Sequence, residues 1–201
     1  VLSLFDGISC GRVALDKTGI KPTNYFASEI NEESIQVALH NYPDIQQLGD
    51  ITKLIELDDD GKIVRVGDTL HNLPKINLLI GGSPCQGLSR SKTDRENLKD
   101  IRSKLFYHYV AIKEWLQIHN NPDLIFLLEN VKPNKETQDI MSAKMKVEPL
   151  EINSDLFSAQ DRLRLYWTNI DADTHNIKNK QLIIKDILED RKNMFLDGVL
   201  S

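Results

Sequence analysis

Short runs of strand-type residues alternate with longer stretches of helical periodicity through most of this chain, and nearly every short run ends in a polar or glycine-containing loop. No other feature constrains the fold as much. Parallel strands need crossover connections, and helical crossovers cover both faces of the sheet they join. The spacing predicts seven strands, at residues 1–5, 24–28, 46–48, 76–80, 124–128, 147–152 and 164–168. Helices are expected over 12–18, 31–41, 101–118 and 136–145, with a last one starting near residue 183. Asn31 is the expected N-cap of the second helix, because its side-chain oxygen can accept from an otherwise unpaired first-turn amide. The run Asp58-Asp59-Asp60-Gly61 before Lys62-Ile63-Val64-Arg65-Val66 reads as an inserted hairpin. The fold class is therefore α/β, a mostly parallel seven-stranded sheet with helices on both faces.

Composition narrows the function. A chain of 201 residues with 40% hydrophobic positions can bury a full core without disulfides or structural metals. Its 25 Lys and Arg against 30 Asp and Glu give a net charge of −5, which excludes a globally basic nucleic-acid binder and leaves room for a local basic patch. Two cysteines, Cys10 and Cys85, do not form a secreted disulfide framework, so a reducing, cytoplasmic setting is expected. The longest apolar runs fall far short of the roughly 20 residues of a membrane span, so no membrane partner is expected.

In an open α/β sheet, ligands bind beyond the carboxyl ends of the strands, so the residues after each strand belong together. The first strand leads into Phe5-Asp6-Gly7-Ile8-Ser9-Cys10-Gly11, a loop whose glycines admit a close backbone approach. The second ends at Glu29, an acidic group suited to a ribose diol, and the third is followed by Asp50, which can accept from an exocyclic amine. Each has a plainer reading as a turn or a helix cap, but together they suit an adenosine-containing ligand. The fourth strand delivers Gly81-Gly82-Ser83-Pro84-Cys85-Gln86-Gly87, a shaped loop that presents one thiol. A cysteine in such a loop can act as an attacking thiolate when amides or a basic neighbour stabilise its charge. The fifth strand ends in Glu129-Asn130-Val131, and a carboxyl whose surroundings favour its protonated form can donate a proton at neutral pH. In Gln160-Asp161-Arg162-Leu163-Arg164 strand alternation puts Gln160, Arg162 and Arg164 on one face, where two arginines can hold a carbonyl or phosphate.

Phe5-Asp6-Gly7, Gly81-Gly82-Ser83-Pro84-Cys85-Gln86, Glu129-Asn130-Val131 and Gln160-x-Arg162-x-Arg164, in that order, resemble the motif series of the DNA (cytosine-5)-methyltransferases. Ala27-Ser28-Glu29-Ile30 and Tyr166-Trp167-Thr168-Asn169 further resemble the de novo subgroup of animals and some phages. Asp100-x-Arg102-x-x-Leu105-Phe106 is similar to the segment that closes over the cofactor. The likeness covers residues 1 to about 170 and implies a Rossmann-like methyltransferase fold using S-adenosyl-L-methionine. By that resemblance Cys85 adds to carbon 6 of a cytosine flipped out of double-stranded DNA. Glu129 then meets ring nitrogen 3, and Arg164, supported by Arg162, holds the ring carbonyl. On the cofactor side the resemblance assigns Phe5, Asp6 and Gly7 to the methionine end, Glu29 to the ribose, Ile30 to the adenine, and Asp50 with Ile51 to its amino edge. Pro84 and Leu105 complete that set.

Ser89, Arg90, Lys92 and Arg95 follow the cysteine in a locally basic segment placed to contact phosphates. Cys10 stands where many bacterial members have glycine and is expected to pack near the cofactor. The hairpin has no assignable counterpart in the family core. Residues 171–201 contain neither a target-recognition region nor the motifs that normally follow it. They are expected to be a C-terminal extension, with recognition supplied by a missing C-terminal region or a second polypeptide. An RNA cytosine-5 methyltransferase and a noncatalytic cofactor-binding module are the alternative functions. The subgroup that acts on transfer RNA usually has a second proline where this chain has Ser83.

Overall fold

A computed structural model describes residues 1–84, 101–172 and 179–187. The chain runs β1 (Leu2–Leu4), α1 (Cys10–Lys17), β2 (Phe26–Ser28), α2 (Glu32–Asn41), β3 (Gln46–Gln47), α3 (Ile51–Leu54), β4 (Ile55–Leu57), β5 (Ile63–Val66), α4 (Asp68–His71) and β6 (Leu78–Gly81). It continues with α5 (Ile101–His119), β7 (Ile125–Asn130), α6 (Lys135–Met145), β8 (Leu150–Asn153), a 3-10 turn (Ser154–Leu156), β9 (Leu163–Thr168) and α7 (Ile184–Ile187). Seven strands form one sheet in the order β3-β2-β1-β6-β7-β9-β8, parallel from β3 to β7. β9 pairs antiparallel with both β7 and β8.

Two apolar clusters explain the layers. Leu15, Tyr25, Ala27, Ala38 and Ile45 pack α1 and α2 on one face of the sheet. On the other face Leu2, Leu4, Phe26, Leu79, Phe126, Leu128 and Trp167 meet α3, α4, α5 and α6. Each fully buried leucine or aromatic side chain there contributes about 1.5–3 kcal/mol. The middle of α5 is buried on nearly every side, from Tyr109 to Lys113 and again at Trp115 and Leu116, because the hairpin and α6 cover the flank that faces away from the sheet. Even Lys113 is enclosed there. Its Nζ donates to the Met145 carbonyl at the end of α6, 3.1 Å away, and lies 4.9 Å from the Phe126 ring centre.

Element ends follow local chemistry. Asn31 caps α2 as expected, its side chain accepting from Ser34 N at 2.8 Å. The first strand stops at Leu4, one residue early, since Phe5 adopts φ +57°. β8 starts at Leu150 rather than Val147, because the left-handed Lys146 ends α6 and Pro149 has no amide for the ladder. Asp58 fixes the hairpin turn by accepting from the amides of Asp60 and Lys62, and the strand before that turn is Ile55–Leu57. The four-residue helices α3 and α4 were not anticipated, as each is shorter than one repeat of the apolar pattern. No helix among the described residues is long and apolar enough to cross a membrane.

Candidate active site

β1 leads through α1 to β2 on one side, while β6 lies on the other side of β1, so the chain reverses its direction of winding between β1 and β6. A cleft at the carboxyl ends of the strands is expected at such a point. The loops after β1 and β6 flank that gap, Glu29 follows β2, and Glu129 and Asn130 are the last residues of β7. β9 runs antiparallel to β7, so its beginning, with Arg162 and Arg164, comes to the same edge. The polar groups that the sequence places after separate strands thus meet along one edge.

Glu129 and Arg164 make direct contact. Arg164 Nε is 2.7 Å from Glu129 Oε1, with the side chains 19% and 32% exposed respectively, and Arg164 also donates to the Leu163 carbonyl at 2.8 Å. Gly82 makes room for the carboxylate, since a Cβ there would stand 3.0 Å from Glu129 Oε2. Tyr166 is the cross-strand partner of Glu129, and burial followed by the Glu129 charge raises its phenol. Arg162 is exposed, and its backbone amide donates to Asn153 Oδ1. One residue beyond Glu129, the buried Asn130 donates through Nδ2 to Ser83 O at 3.2 Å and Ser83 Oγ at 3.0 Å. Its Oδ1 accepts from Val131 N at 2.8 Å. This amide ties the end of β7 to the half-buried Pro84 and its loop. Cys85, Ser89, Arg90, Lys92 and Arg95 lie outside the described residues.

On the other side of the gap, Glu29 is held by backbone amides. Its Oε2 accepts from Gly7 N at 2.8 Å, and its Oε1 from Ile30 N and Asn31 N at 2.8 and 2.9 Å. Ile30, directly after it, leaves 75% of its surface in solvent. Asp50 is the N-cap of α3, with Oδ1 accepting from Thr52 N at 2.9 Å. Ile51, expected beside the adenine, instead buries its side chain in the main core, because the first turn of α3 rotates it inward. Phe5 is half-buried against the same core, and so is Leu105, in the first turns of α5. Asp6, expected at the cofactor, turns its carboxylate inward: Tyr25 OH donates to Oδ1 at 2.8 Å and Ser9 Oγ donates to Oδ2. Cys10 is exposed rather than packed, since α1 starts two residues earlier than the apolar pattern suggests. Lys104, in the first turn of α5, pairs with Asp59 of the hairpin at 2.8 Å.

Tyr25 has a place at this edge without lying in any motif, whereas Ser83, Asn130 and Tyr166 lie in motifs that do not reveal their contacts. Tyr25 meets Asp6 across 19 positions of sequence, and only the pairing of β1 with β2 brings them together. The contact between Ser83 and Asn130 spans 47 positions. Tyr166 could have been found by extending the alternation of Arg162 and Arg164 by one more step.

This edge and this sheet define a methyltransferase-type α/β domain. Residues 1–196 match the profile of the C-5 cytosine-specific DNA methylases, and the chain belongs to that family. It is 30% identical over 215 aligned positions to the orphan methyltransferase M.SPRI of Bacillus phage SPR, covering 98% of this chain and 44% of that protein. It is also 30% identical over 184 positions to the type II methyltransferase M1.ScrFI of Lactococcus lactis subsp. cremoris, covering 85% of this chain and 41% of the relative. The chain therefore spans less than half the length of these curated relatives. Among solved structures, a DNMT2 mutant from Spodoptera frugiperda shares the fold with a TM-score of 0.57 and 22% identity, covering 90% of this chain and 53% of that one.

Proposed function

We propose that this chain carries the catalytic and cofactor-binding part of a DNA cytosine-5 methyltransferase, acting through a covalent cysteine adduct. The observation that carries the reading is the Glu129–Arg164 pair, held at one sheet edge beside the Ser83-Pro84 segment that leads into Cys85. A cytosine ring offers nitrogen 3 and the carbonyl oxygen at carbon 2 on neighbouring positions, and an adjacent acid and guanidinium match that spacing.

The residues on the far side of the gap suit S-adenosyl-L-methionine. Glu29 Oε2 accepts one amide bond, which leaves capacity for a ribose hydroxyl. Ile30 is an open apolar surface for one face of an adenine, and Asp50 spends one carboxylate oxygen on α3, leaving the other for an amino group. The space over Gly7 is open. When bound, the cofactor supplies a sulfonium methyl group as the electrophile for carbon 5.

The chain's own groups do the rest. The Cys85 thiolate forms a bond to carbon 6, which shifts the ring electrons toward carbon 5. Glu129 gives a proton or hydrogen bond to nitrogen 3, and Arg164 turns from the carboxylate toward the ring carbonyl as negative charge accumulates there. After methylation, loss of the carbon 5 proton to water and cleavage of the sulfur–carbon 6 bond return the thiolate. Arg162 supports Arg164, and Ser89, Arg90, Lys92 and Arg95 meet the phosphates of double-stranded DNA.

DNA is favoured over RNA on two grounds. Relatives that align over most of this chain include phage and type II methyltransferases. In addition, the Ser83 hydroxyl accepts from Asn130, a bond that the second proline usual in the transfer-RNA subgroup would remove. The test is transfer of labelled methyl from S-adenosylmethionine to duplex DNA or to transfer RNA, by this chain and by the longest polypeptide its reading frame encodes. Label at carbon 5 of DNA cytosine is the expected result. Label in transfer RNA alone, or in neither, overturns the proposal.

A further inference from the structure

Asp6, like Ser9 in the same loop, has every polar group engaged within the protein. Its amide donates to the Ser28 carbonyl at 3.2 Å, and its carbonyl accepts from Ser9 N at 3.0 Å. The carboxylate takes the Tyr25 and Ser9 hydroxyls, one on each oxygen. The residue is 8% exposed. On either side of it the backbone is left-handed at Phe5 (φ +57°), Gly7 (φ +57°) and Ser9 (φ +64°). A left-handed non-glycine residue costs about 1–2 kcal/mol, so the conformation at Phe5 and Ser9 persists only where its surroundings impose it. Asp6 is the part of the loop that its surroundings grip.

Tyr25 supplies the grip from outside the loop. It is 1% exposed and precedes β2, and burial, then the Asp6 charge, pushes its phenol far up, so that it remains a donor. The Arg12 guanidinium stands 5.7 Å from its ring centre and is itself tied to Asp16 and Asp44. Gly11 lets α1 pass over this hydroxyl: a Cβ there would be 3.1 Å from the Tyr25 oxygen and 2.3 Å from Ile80 Cδ1.

We infer that Tyr25 is a positioning residue for the cofactor loop, acting through Asp6 to hold the left-handed turns of Phe5–Ser9, and that Asp6 serves the loop as an anchor rather than as a charge on the ligand. The inference rests on the cofactor reading of that loop. Tyr25→Phe removes one donor, keeps the ring, and leaves a buried carboxylate oxygen without its partner. Asp6→Asn keeps the shape and can keep both contacts, since the amide oxygen accepts from Tyr25 and the amide nitrogen donates to the Ser9 oxygen. Asp6→Ala keeps neither. Ser142→Ala, which removes the distant buried bond from Trp167 Nε1, is the control for general loss of stability.

Two readouts decide. Hydrogen exchange of the Gly7–Ser9 amides in the ligand-free protein reports the loop itself, and titration calorimetry with S-adenosylmethionine reports its use. Tyr25→Phe is expected to speed loop exchange and raise the cofactor Kd about tenfold, the scale of one buried charge-assisted bond. Asp6→Asn and Ser142→Ala are expected to stay within about threefold of wild type in both, a spread under one kcal/mol. Unchanged exchange in Tyr25→Phe overturns the inference, as does an equal effect from Ser142→Ala. Asp6→Asn as weak as Asp6→Ala overturns the anchor role. If the wild-type chain binds no cofactor, the functional reading fails, and the exchange data alone still decide what Tyr25 does.

Discussion

Replacing Asn130 with alanine removes three hydrogen bonds at one stroke, two from Nδ2 to Ser83 and one from Val131 N to Oδ1. Asn130 is 2% exposed and Ser83 5%, so water does not readily take the place of the lost amide. A buried donor or acceptor stripped of its partner costs about 1–3 kcal/mol. The Ser83 hydroxyl can rotate to find another partner, but its carbonyl and the Val131 amide cannot. The sum is about 2–4 kcal/mol, a large fraction of the roughly 5–15 kcal/mol that holds a domain together. Asn130→Asp is the sharper variant: it keeps the acceptor for Val131 but turns lone pairs toward the Ser83 carbonyl, and should be at least as damaging at neutral pH. Urea denaturation followed by fluorescence of Trp115 and Trp167 measures both. A loss below about 0.5 kcal/mol for Asn130→Ala, the range of an ordinary surface substitution, would refute the claim that this amide ties β7 to the loop before Cys85.

Glu129→Gln and Arg164→Lys should each lower methyl transfer by about 10²–10⁴-fold, the usual worth of a positioned acid or base and its charged partner. Stability should move by less than about 1 kcal/mol, because the pair is partly open to water; a variant that unfolds but keeps its rate contradicts the assignment. Burial, the largest influence, holds the Lys113 ammonium below its ordinary value, so the native state releases that proton before the unfolded chain does. Between the lowered value and about 10.5, raising the pH therefore favours the fold. The stability of wild type relative to Lys113→Met should grow with pH across that window in denaturant titrations; a constant difference contradicts the burial argument. Asp59→Asn should leave the unfolding midpoint unchanged within error, since the Asp59 side chain in its pair with Lys104 is 98% exposed; a clear drop would mean that this pair secures the hairpin against α5.

Much of this edge was legible because strand ends collect function in a parallel sheet. Glu29, Glu129 and the Gly82-Ser83-Pro84 loop were each identified by position after a strand, and the structure brings them to one edge. Contact between Glu129 and Arg164 was not legible, since it depends on β9 running antiparallel to β7, which alternation within one strand does not encode. The Tyr25–Asp6 bond is hidden for a related reason: 19 positions separate the two residues, and only the pairing of β1 with β2 brings them together. Asp50 suits either a helix cap or an exocyclic amine by its position after a strand, and its Oδ1 caps α3. Helix phase sets Cys10 and Ile51 apart from expectation. Starting α1 at Cys10 turns that thiol outward, and the unanticipated α3 turns Ile51 inward.

Bond formation by the Cys85 thiolate is open to a covalent trap. Duplex DNA carrying 5-fluorocytosine lacks the carbon 5 proton whose loss frees the enzyme, so a thiolate bound to carbon 6 stays bound. Incubated with S-adenosylmethionine, the longest polypeptide encoded by this reading frame should give a protein–DNA adduct that survives denaturation, with mass spectrometry locating the link at Cys85. Cys85→Ser should abolish the adduct while binding the cofactor normally. No adduct from a wild-type preparation that binds both cofactor and DNA, or an adduct that persists in Cys85→Ser, would contradict the account.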